Sequence, residues 1–300
     1  MDEITKIETV DQYDQLFGLE TLHPLVNVID FSKATKSVEY IRMNIGFYCL
    51  FLKDAKCGDL KYGRKNYDYQ EGTVVCMAPG QVSGIDNRNR TAPRTKSIGV
   101  LFHPDLIRGT SLGQNIKNYT FFSYEVNEAL HLSDQEREIV TDCIHKIRLE
   151  LEHTIDKHSK QLIVRNIELL LDYCMRFYER QFITRNQANK DIVVKFEQLL
   201  DEYFQNQVAM TEGLPSVKYF ADKACLSPNY FGDLIKKETG KTAQEYIQCR
   251  IIELAKERIL EGVQTVSQVA YELGFQYPQH FSRLFKKHVG CTPNEYKQKN

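Results

Sequence analysis

The chain has 300 residues, 42% of them apolar and 26% charged, which is ordinary for a globular protein and long enough for two domains. No apolar run reaches the roughly 18 residues a membrane span needs, and the start Met1-Asp-Glu-Ile-Thr-Lys6 lacks the basic-then-apolar pattern of an export signal, so a cytoplasmic protein with no membrane partner is expected. The eight cysteines are scattered with no CxxC pair and read as reduced thiols in or near the core. The net charge of −1 hides a split: residues 211–300 hold 13 Lys/Arg against 10 Asp/Glu, and residues 1–210 hold 26 against 30. An excess this small decides nothing, so function has to be read from pattern.

From about 38 to 103 the sequence is rich in Tyr, Val, Ile and Phe and broken by turn residues. Val38 to Phe51 reads as a strand, Gly72 to Gly80 as a short buried strand ended by a Pro-Gly turn, and Ile98 to Phe102 as another. Asp86 to Lys96 has few large apolar residues and reads as a loop. Strands at this spacing predict a sandwich or small barrel.

After His103-Pro104 the character becomes helical. Ser133-Asp-Gln-Glu136 is a capping box, in which the Ser133 hydroxyl accepts from the Glu136 backbone and the Glu136 side chain reaches back. Val140, Cys143, Ile147 and Leu151 follow at helical spacing. A second helix, about 160–182, carries Ile163, Ile167, Leu170, Cys174 and Phe177 on one stripe, widened by Leu169, Leu171, Tyr173 and Tyr178. The stripe serves either to pack on the β-rich domain or as the seam of a homodimer. The polar run Arg185 to Lys190 reads as a linker.

The last third repeats itself. At an offset of 50, Tyr230-Phe231-x-x-Leu234-x-Lys236-Lys237-x-x-Gly240-x-Thr242-x-x-Glu245-Tyr246 falls on His280-Phe281-x-x-Leu284-x-Lys286-Lys287-x-x-Gly290-x-Thr292-x-x-Glu295-Tyr296. Phe and Leu three apart face one side of a helix, and the lysine pair sits near its C-terminal end, where the dipole favours cations. Gly stops that helix in a left-handed conformation, and Thr-x-x-Glu caps the next. Upstream of each copy lies a shorter helix, Val217 to Leu226 in the first and, in the second, a capping box Thr265-Val-Ser-Gln268 followed by Val269 to Phe275. Ala221 and Ala270 are the small residues that let two helices approach. Pro228 and Pro278 begin the following helices, where a missing N–H costs nothing. Helix, tight turn, helix is the helix-turn-helix motif. A third helix, about 243–261, joins the two units. At 1.5 Å per residue it is about 27 Å long, against about 34 Å between successive major-groove faces, so it can set both recognition helices on one side of a duplex.

Ala270-x-x-x-Gly274-Phe275…Phe281-Ser282-Arg283-x-Phe285-Lys286-Lys287…Gly290-x-Thr292-Pro293-x-x-Tyr296 is close to the signature of the AraC family of transcription regulators. The resemblance is dense over about 190–300. The region from about 40 to 104 also looks like that family's cupin-type effector domain, more loosely. It implies an α+β multidomain chain: a cupin-like effector or sensor domain over 1–130, a β-sandwich or barrel; a helical dimerisation or packing segment over 131–185; and an all-α tandem helix-turn-helix DNA-binding domain over 186–300, with units at about 216–240 and 265–290. The implied function is that of a bacterial sequence-specific regulator of transcription. Its expected partners are double-stranded DNA, a small-molecule effector, a second copy of the chain as homodimer, and RNA polymerase.

The resemblance further implies that the solvent face of each recognition helix enters a major groove. In the second unit these positions are Pro278, Gln279, His280 and Arg283, where Arg283 can donate two bonds to guanine and Gln279 can pair with adenine. Lys286 and Lys287 are placed at phosphate, which positions without specifying. In the first unit the positions are Asn229, Gly232, Asp233, Lys236 and Lys237. Gly232-Asp233 stands where the second unit has Ser282-Arg283. Asp233 either accepts from cytosine N4, pairs with a neighbouring lysine or faces solvent. Cys225 at the turn position of Gly274 marks a second departure. Phe231, Phe275, Phe281 and Phe285 read as core.

In the N-terminal domain, the stretch from Tyr62 to Gly72, where enzymes of this barrel shape carry metal-binding histidines, contains none. His23 and His103 precede prolines and read as turn residues. Gly240-Lys241-Thr242 lacks the upstream glycine of a P-loop, and HExxH and GxGxxG are both missing. No metal, no cofactor and no catalysis are expected. Tyr48, Lys61, Tyr62 and Tyr67 are candidates for lining an effector pocket only because polar aromatic groups suit a partly apolar site; placement in the core or on the surface is the competing reading for each.

Overall fold

The computed structural model of the chain describes residues 4–53, 72–86, 97–125, 128–154, 156–184 and 186–299. The effector-pocket candidates Lys61, Tyr62 and Tyr67 and the loop expected over 87–96 lie outside the described residues. The chain divides into two compact units, Met1–Thr184 and Arg185–Asn300. Among the described residues, no helix is long and apolar enough to cross a membrane.

The first unit runs β1 (Ile4–Ile7), α1 (Val10–Phe17), β2 (Val26–Asp30), β3 (Tyr40–Ile45), β4 (Tyr48–Lys53), β5 (Thr73–Met77), β6 (Val82–Asp86) and β7 (Ser97–Phe102). Then come α2 (Pro104–Ile107), α3 (Ser111–Asn115), β8 (Leu130–His131), α4 (Asp134–Glu152) and α5 (Ser159–Thr184). Among the described residues the strands form two sheets, in the orders β1-β3-β6 and β2-β7-β4-β5-β8. The pairing of β1 with β3 is parallel and the remaining pairs are antiparallel.

The single strand expected from Val38 to Phe51 is two strands in two different sheets. Gly46 makes the corner: its N–H donates to Ile7 O at 2.8 Å, and a Cβ there would lie 3.0 Å from the Glu8 carbonyl oxygen. Between the sheets lies one core of Ile7, Val10, Tyr13, Phe17, Ile29, Met43, Ile45, Phe47, Cys49, Phe51 and Leu101. Helix α1 supplies three of these side chains. It starts at a capping box, with Thr9 Oγ1 accepting from Gln12 N and Gln12 Oε1 from Thr9 N. Each large side chain so buried contributes roughly 1.5–3 kcal/mol. The two histidines that precede proline do sit at turns. His23 Nδ1 accepts from Leu25 N and His103 Nδ1 from Asp105 N.

The opposite face of the larger sheet is covered by α4 and α5, and here the homodimer seam has to be corrected. Ile163, Ile167, Leu170, Cys174 and Phe177 are 3%, 0%, 1%, 0% and 5% exposed, so they are core within one chain and unavailable to a second copy. The stripe is wide because α5 packs on two neighbours at once, α4 and the sheet. Cys174 lies close enough to Cys76 of β5 that their charges would repel, and burial pushes both thiols up. The predicted box starts α4, where Glu136 N donates to Ser133 Oγ at 3.4 Å and Ser133 N to Glu136 Oε2 at 2.9 Å. Arg180 then clamps Glu136 at 2.6 Å and also reaches His131 O at 2.6 Å.

The second unit contains α6 (Asn186–Gln205), α7 (Val208–Glu212), α8 (Val217–Ala224), α9 (Pro228–Thr239), α10 (Ala243–Glu261), α11 (Val266–Glu272), α12 (Pro278–Val289) and α13 (Pro293–Lys299). The linker expected over 185–190 is helical from Asn186, with Asn189 buried and donating to Glu238 Oε1 at 3.4 Å. Phe196 of α6 meets Phe220 of α8 and Phe231 of α9 edge-on, with centroids 5.0 and 5.2 Å apart. Helix α10 buries Ile247, Ile251, Ile252, Ala255 and Ile259 and packs against α9, α11 and α12.

Candidate nucleic-acid interface

Each recognition helix is set by local chemistry that the repeat anticipates. Pro228 and Pro278 occupy the first turns of α9 and α12. Both helices end at a left-handed glycine, Gly240 (φ +74°) and Gly290 (φ +88°). The next helix starts at a threonine whose hydroxyl caps the glutamate three residues on: Glu245 N donates to Thr242 Oγ1 at 3.2 Å and Glu295 N to Thr292 Oγ1 at 3.3 Å. Phe231, Phe281 and Phe285 are fully buried and Phe275 is nearly so. Ala221 and Ala270 are buried where α8 meets α9 and α11 meets α12.

With the apolar face fixed inward, the outward face is determined. In α12, Gln279, His280, Arg283, Lys286 and Lys287 are exposed and Pro278 is half-buried. Helical spacing puts Gln279, Arg283 and Lys286 in one row, with His280 and Lys287 in a second row beside it. In α9 the corresponding row is Asn229, Asp233 and Lys236, flanked by Lys237 and Gly232. Asn229, Lys236 and Lys237 are exposed, and Gly232 and Asp233 are half-buried. The counterpart of His280 is Tyr230, which is buried, so the polar face of α9 is narrower.

Three of these four lysines also act electrostatically within the protein. The carboxyl of Glu245 is held below its ordinary value by hydrogen bonds from the Thr242 backbone and side chain, and then by the charges of Lys236 and Lys287. Glu295 is lowered in the same way by Thr292, with Lys286 and Lys299 contributing. The first lysine of each pair therefore lies near the glutamate that caps the following helix.

The two turns differ more than a constant offset reveals. Leu226 N donates to Ala221 O and Phe275 N to Ala270 O, both at 3.0 Å, so Cys225 and Gly274 are equivalent, 49 residues apart, although Pro228 and Pro278 are 50 apart. The second turn is thus one residue longer. It carries Gln276 and Tyr277 where the first has Ser227. Ser227 is buried and its hydroxyl accepts from Tyr230 N at 3.2 Å, whereas Tyr277 makes no such cap, is 56% exposed, and lies edge-on to His280 at 5.5 Å. The sequence pattern does not single out Tyr277; its one signal is an aromatic residue in a capping position.

The chain matches the family of helix-turn-helix domains over residues 220–299. It is 37% identical over 87 residues to the transcriptional regulatory protein YesN of Bacillus subtilis, covering 28% of this chain and 24% of that one. It is 31% identical over 145 residues to the Tn10 TetD protein of Escherichia coli, covering 48% of this chain and 91% of TetD. The chain belongs to the AraC family of transcription regulators. A solved AraC-type regulator from Chromobacterium violaceum is 21% identical, over 28% of this chain and 75% of that one, with a TM-score of 0.27. The chain spans about a quarter of the length of YesN.

In this AraC-family unit the two halves are locked by backbone contact. Gly274 (φ +92°) is pressed so closely on the loop before α8 that a Cβ would lie 2.7 Å from the carbonyl carbon and oxygen of Gly213. That same Gly213 oxygen accepts from Tyr203 Oη of α6 at 3.0 Å. Arg258 at the end of α10 pairs with Glu272 of α11 at 3.2 Å, and Gln264 also donates to Glu272. In the other unit, Tyr48 stacks on Phe102 with centroids 5.0 Å apart and meets Phe122 at 4.9 Å. Since Cys49 and Phe51 point between the sheets, Tyr48 faces the other side of β4, away from the barrel interior in which an effector-binding role placed it.

Proposed function

We propose that this AraC-family DNA-binding regulator reads sequence chiefly through α12, with Gln279 and Arg283 at base edges and Lys286, Lys287 and His280 toward the sugar–phosphate backbone. Helix α9 enters a neighbouring major groove and mainly positions the protein, through Asn229, Lys236 and Lys237. The observation that carries this reading is the exposed row Gln279–Arg283–Lys286 on α12, repeated in helical position by Asn229–Asp233–Lys236 on α9. The chain is a binding protein and not an enzyme, works in the cytoplasm, and acts on RNA polymerase from its DNA site. Control comes from the first unit, through a small-molecule effector or through a homodimer. With the inner stripe of α5 buried, Leu162, Leu169 and Ile183 (46%, 40% and 61% exposed) are the apolar residues of that helix left for a second copy.

The test is a gel-shift titration on duplex from the protein's own promoter region. Wild type binds with an affinity that falls steeply as salt rises. Arg283→Ala and Gln279→Ala weaken the specific site about 10- to 100-fold and flatten the preference over unrelated duplex. Affinity and preference unchanged in both variants would refute the orientation of α12.

A further inference from the structure

Gly232 has no explanation inside the protein. It is the fifth residue of the twelve-residue helix α9, and its backbone is not in the left-handed region that calls for glycine. A Cβ built on it would meet nothing within 4 Å, so no neighbouring side chain or backbone needs the space. Glycine in a helix interior is disfavoured against alanine, because it has more backbone freedom to lose. Gly274 of the same unit shows the contrast: there the protein's own backbone occupies the place of the missing Cβ. At Gly232 that place is open, and it is on the same outward side as Asn229, Lys236 and exposed Pro228, which lies four residues before it.

We infer that Gly232 is a DNA-positioning residue: its bare Cα lets the Pro228–Gly232 flank of α9 lie in direct backbone contact with the sugar–phosphate wall of the major groove. This inference rests on the docking of α9 proposed above and specifies its depth. Helical spacing sets Gly232 about 60° from Asn229 around the helix, toward the buried side. That is the angle of a groove wall, while Asn229 points to the floor. Pro228, which lacks an N–H, continues the same smooth flank. In α12 this flank carries Pro278 and Ser282, so a hydroxymethyl group stands where α9 has only hydrogen. The two recognition helices therefore sit at different depths, α9 closer by about the thickness of one methylene group.

The test uses full-length Gly232→Ala and Gly232→Ser, the second importing the residue that α12 tolerates. Both proteins are expected to melt higher, Gly232→Ala by about 2–5 °C. Both are expected to bind promoter duplex at least tenfold more weakly, with a similar loss on unrelated duplex because the wall carries no base identity. A loss of affinity beside a gain in melting temperature is not a folding defect. Lys236→Ala with Lys237→Ala, measured in parallel, reports whether α9 docks at all. Weaker binding by the lysine variants with full affinity in Gly232→Ala overturns the close approach alone. Full affinity in the lysine variants overturns the docking of α9 as well.

Discussion

Replacing Gly274 with alanine is expected to unfold the second helix-turn-helix selectively. Two costs can be worked out separately. The residue sits at φ +92°, and an L-side chain in the left-handed region costs about 1–2 kcal/mol. The new Cβ would also lie 2.7 Å from the Gly213 carbonyl and 2.9 Å from Leu214 N, backbone atoms that cannot swing aside as a side chain can. Forcing that gap open adds on the order of 1–3 kcal/mol, for a total of about 2–5 kcal/mol. The equivalent position in the first unit makes an internal control, because Cys225 already bears a side chain at φ +57°. Cys225→Gly relieves that strain and is expected to stabilise by about 0.5–1 kcal/mol after the extra chain entropy of glycine. The chain has no tryptophan, so the assay is urea denaturation followed by circular dichroism of the helices. A cost below about 1 kcal/mol for Gly274→Ala would show that the Gly213 loop gives way, and would refute the rigid contact that joins the two halves.

Three further outcomes are expected. Lys286→Ala and Lys287→Ala should weaken binding to all duplexes alike and reduce the slope of log affinity against log salt by about 1 each, whereas Arg283→Ala changes preference among sites; a preference change in the lysine variants would contradict the phosphate assignment. Asp14 is buried, with Oδ2 accepting from Thr21 and Asn27 at 2.8 Å and Oδ1 unpartnered, and burial raises it from 3.8 to about 6. With the folded value raised, its contribution is full below about 3.8 and is lost as pH rises through about 6. Asp14→Asn is therefore expected to stabilise the first unit by about 2–3 kcal/mol at pH 8 and to leave it unchanged at pH 3.5, and an equal effect at both pH values in thermal melts would refute the shift. Ile167→Ala is expected to cost about 2–5 kcal/mol and Leu169→Ala less than about 1 kcal/mol in the same melts. The reverse ranking would return the stripe of α5 to the surface.

The DNA-binding unit was legible because its signals are local. Thr242-x-x-Glu245, Thr292-x-x-Glu295, Pro228 and Pro278 act within one turn of backbone, and two copies at one spacing confirm each other. The single offset nonetheless concealed the extra residue at Gln276-Tyr277, since aligning the lysines and glycines leaves the slip inside the turn. The polar run before Lys190 misled because its purpose is tertiary: Asn189 is buried against Glu238, and no apolar period marks it. In the first unit the strands Thr73–Met77 and Ser97–Phe102 were readable as apolar runs. The change of sheet at Gly46 was not, because it depends on Glu8, nearly 40 residues away. Thr9-x-x-Gln12 did announce α1, a helix that the β-rich reading passed over. The stripe on α5 was correctly apolar but its address stayed open between the β-rich domain and a second copy, since width alone does not distinguish two neighbours in one chain from one neighbour in another.

Selection of preferred sites from a random duplex pool tests the central claim most directly. Wild-type protein is expected to enrich a site with one strong block, read by α12, and only a weak preference about one helical turn, or 10 base pairs, away, where α9 docks. Arg283→Ala is expected to blur the strong block. No enrichment, or an enriched site that Arg283→Ala leaves unchanged, would contradict it.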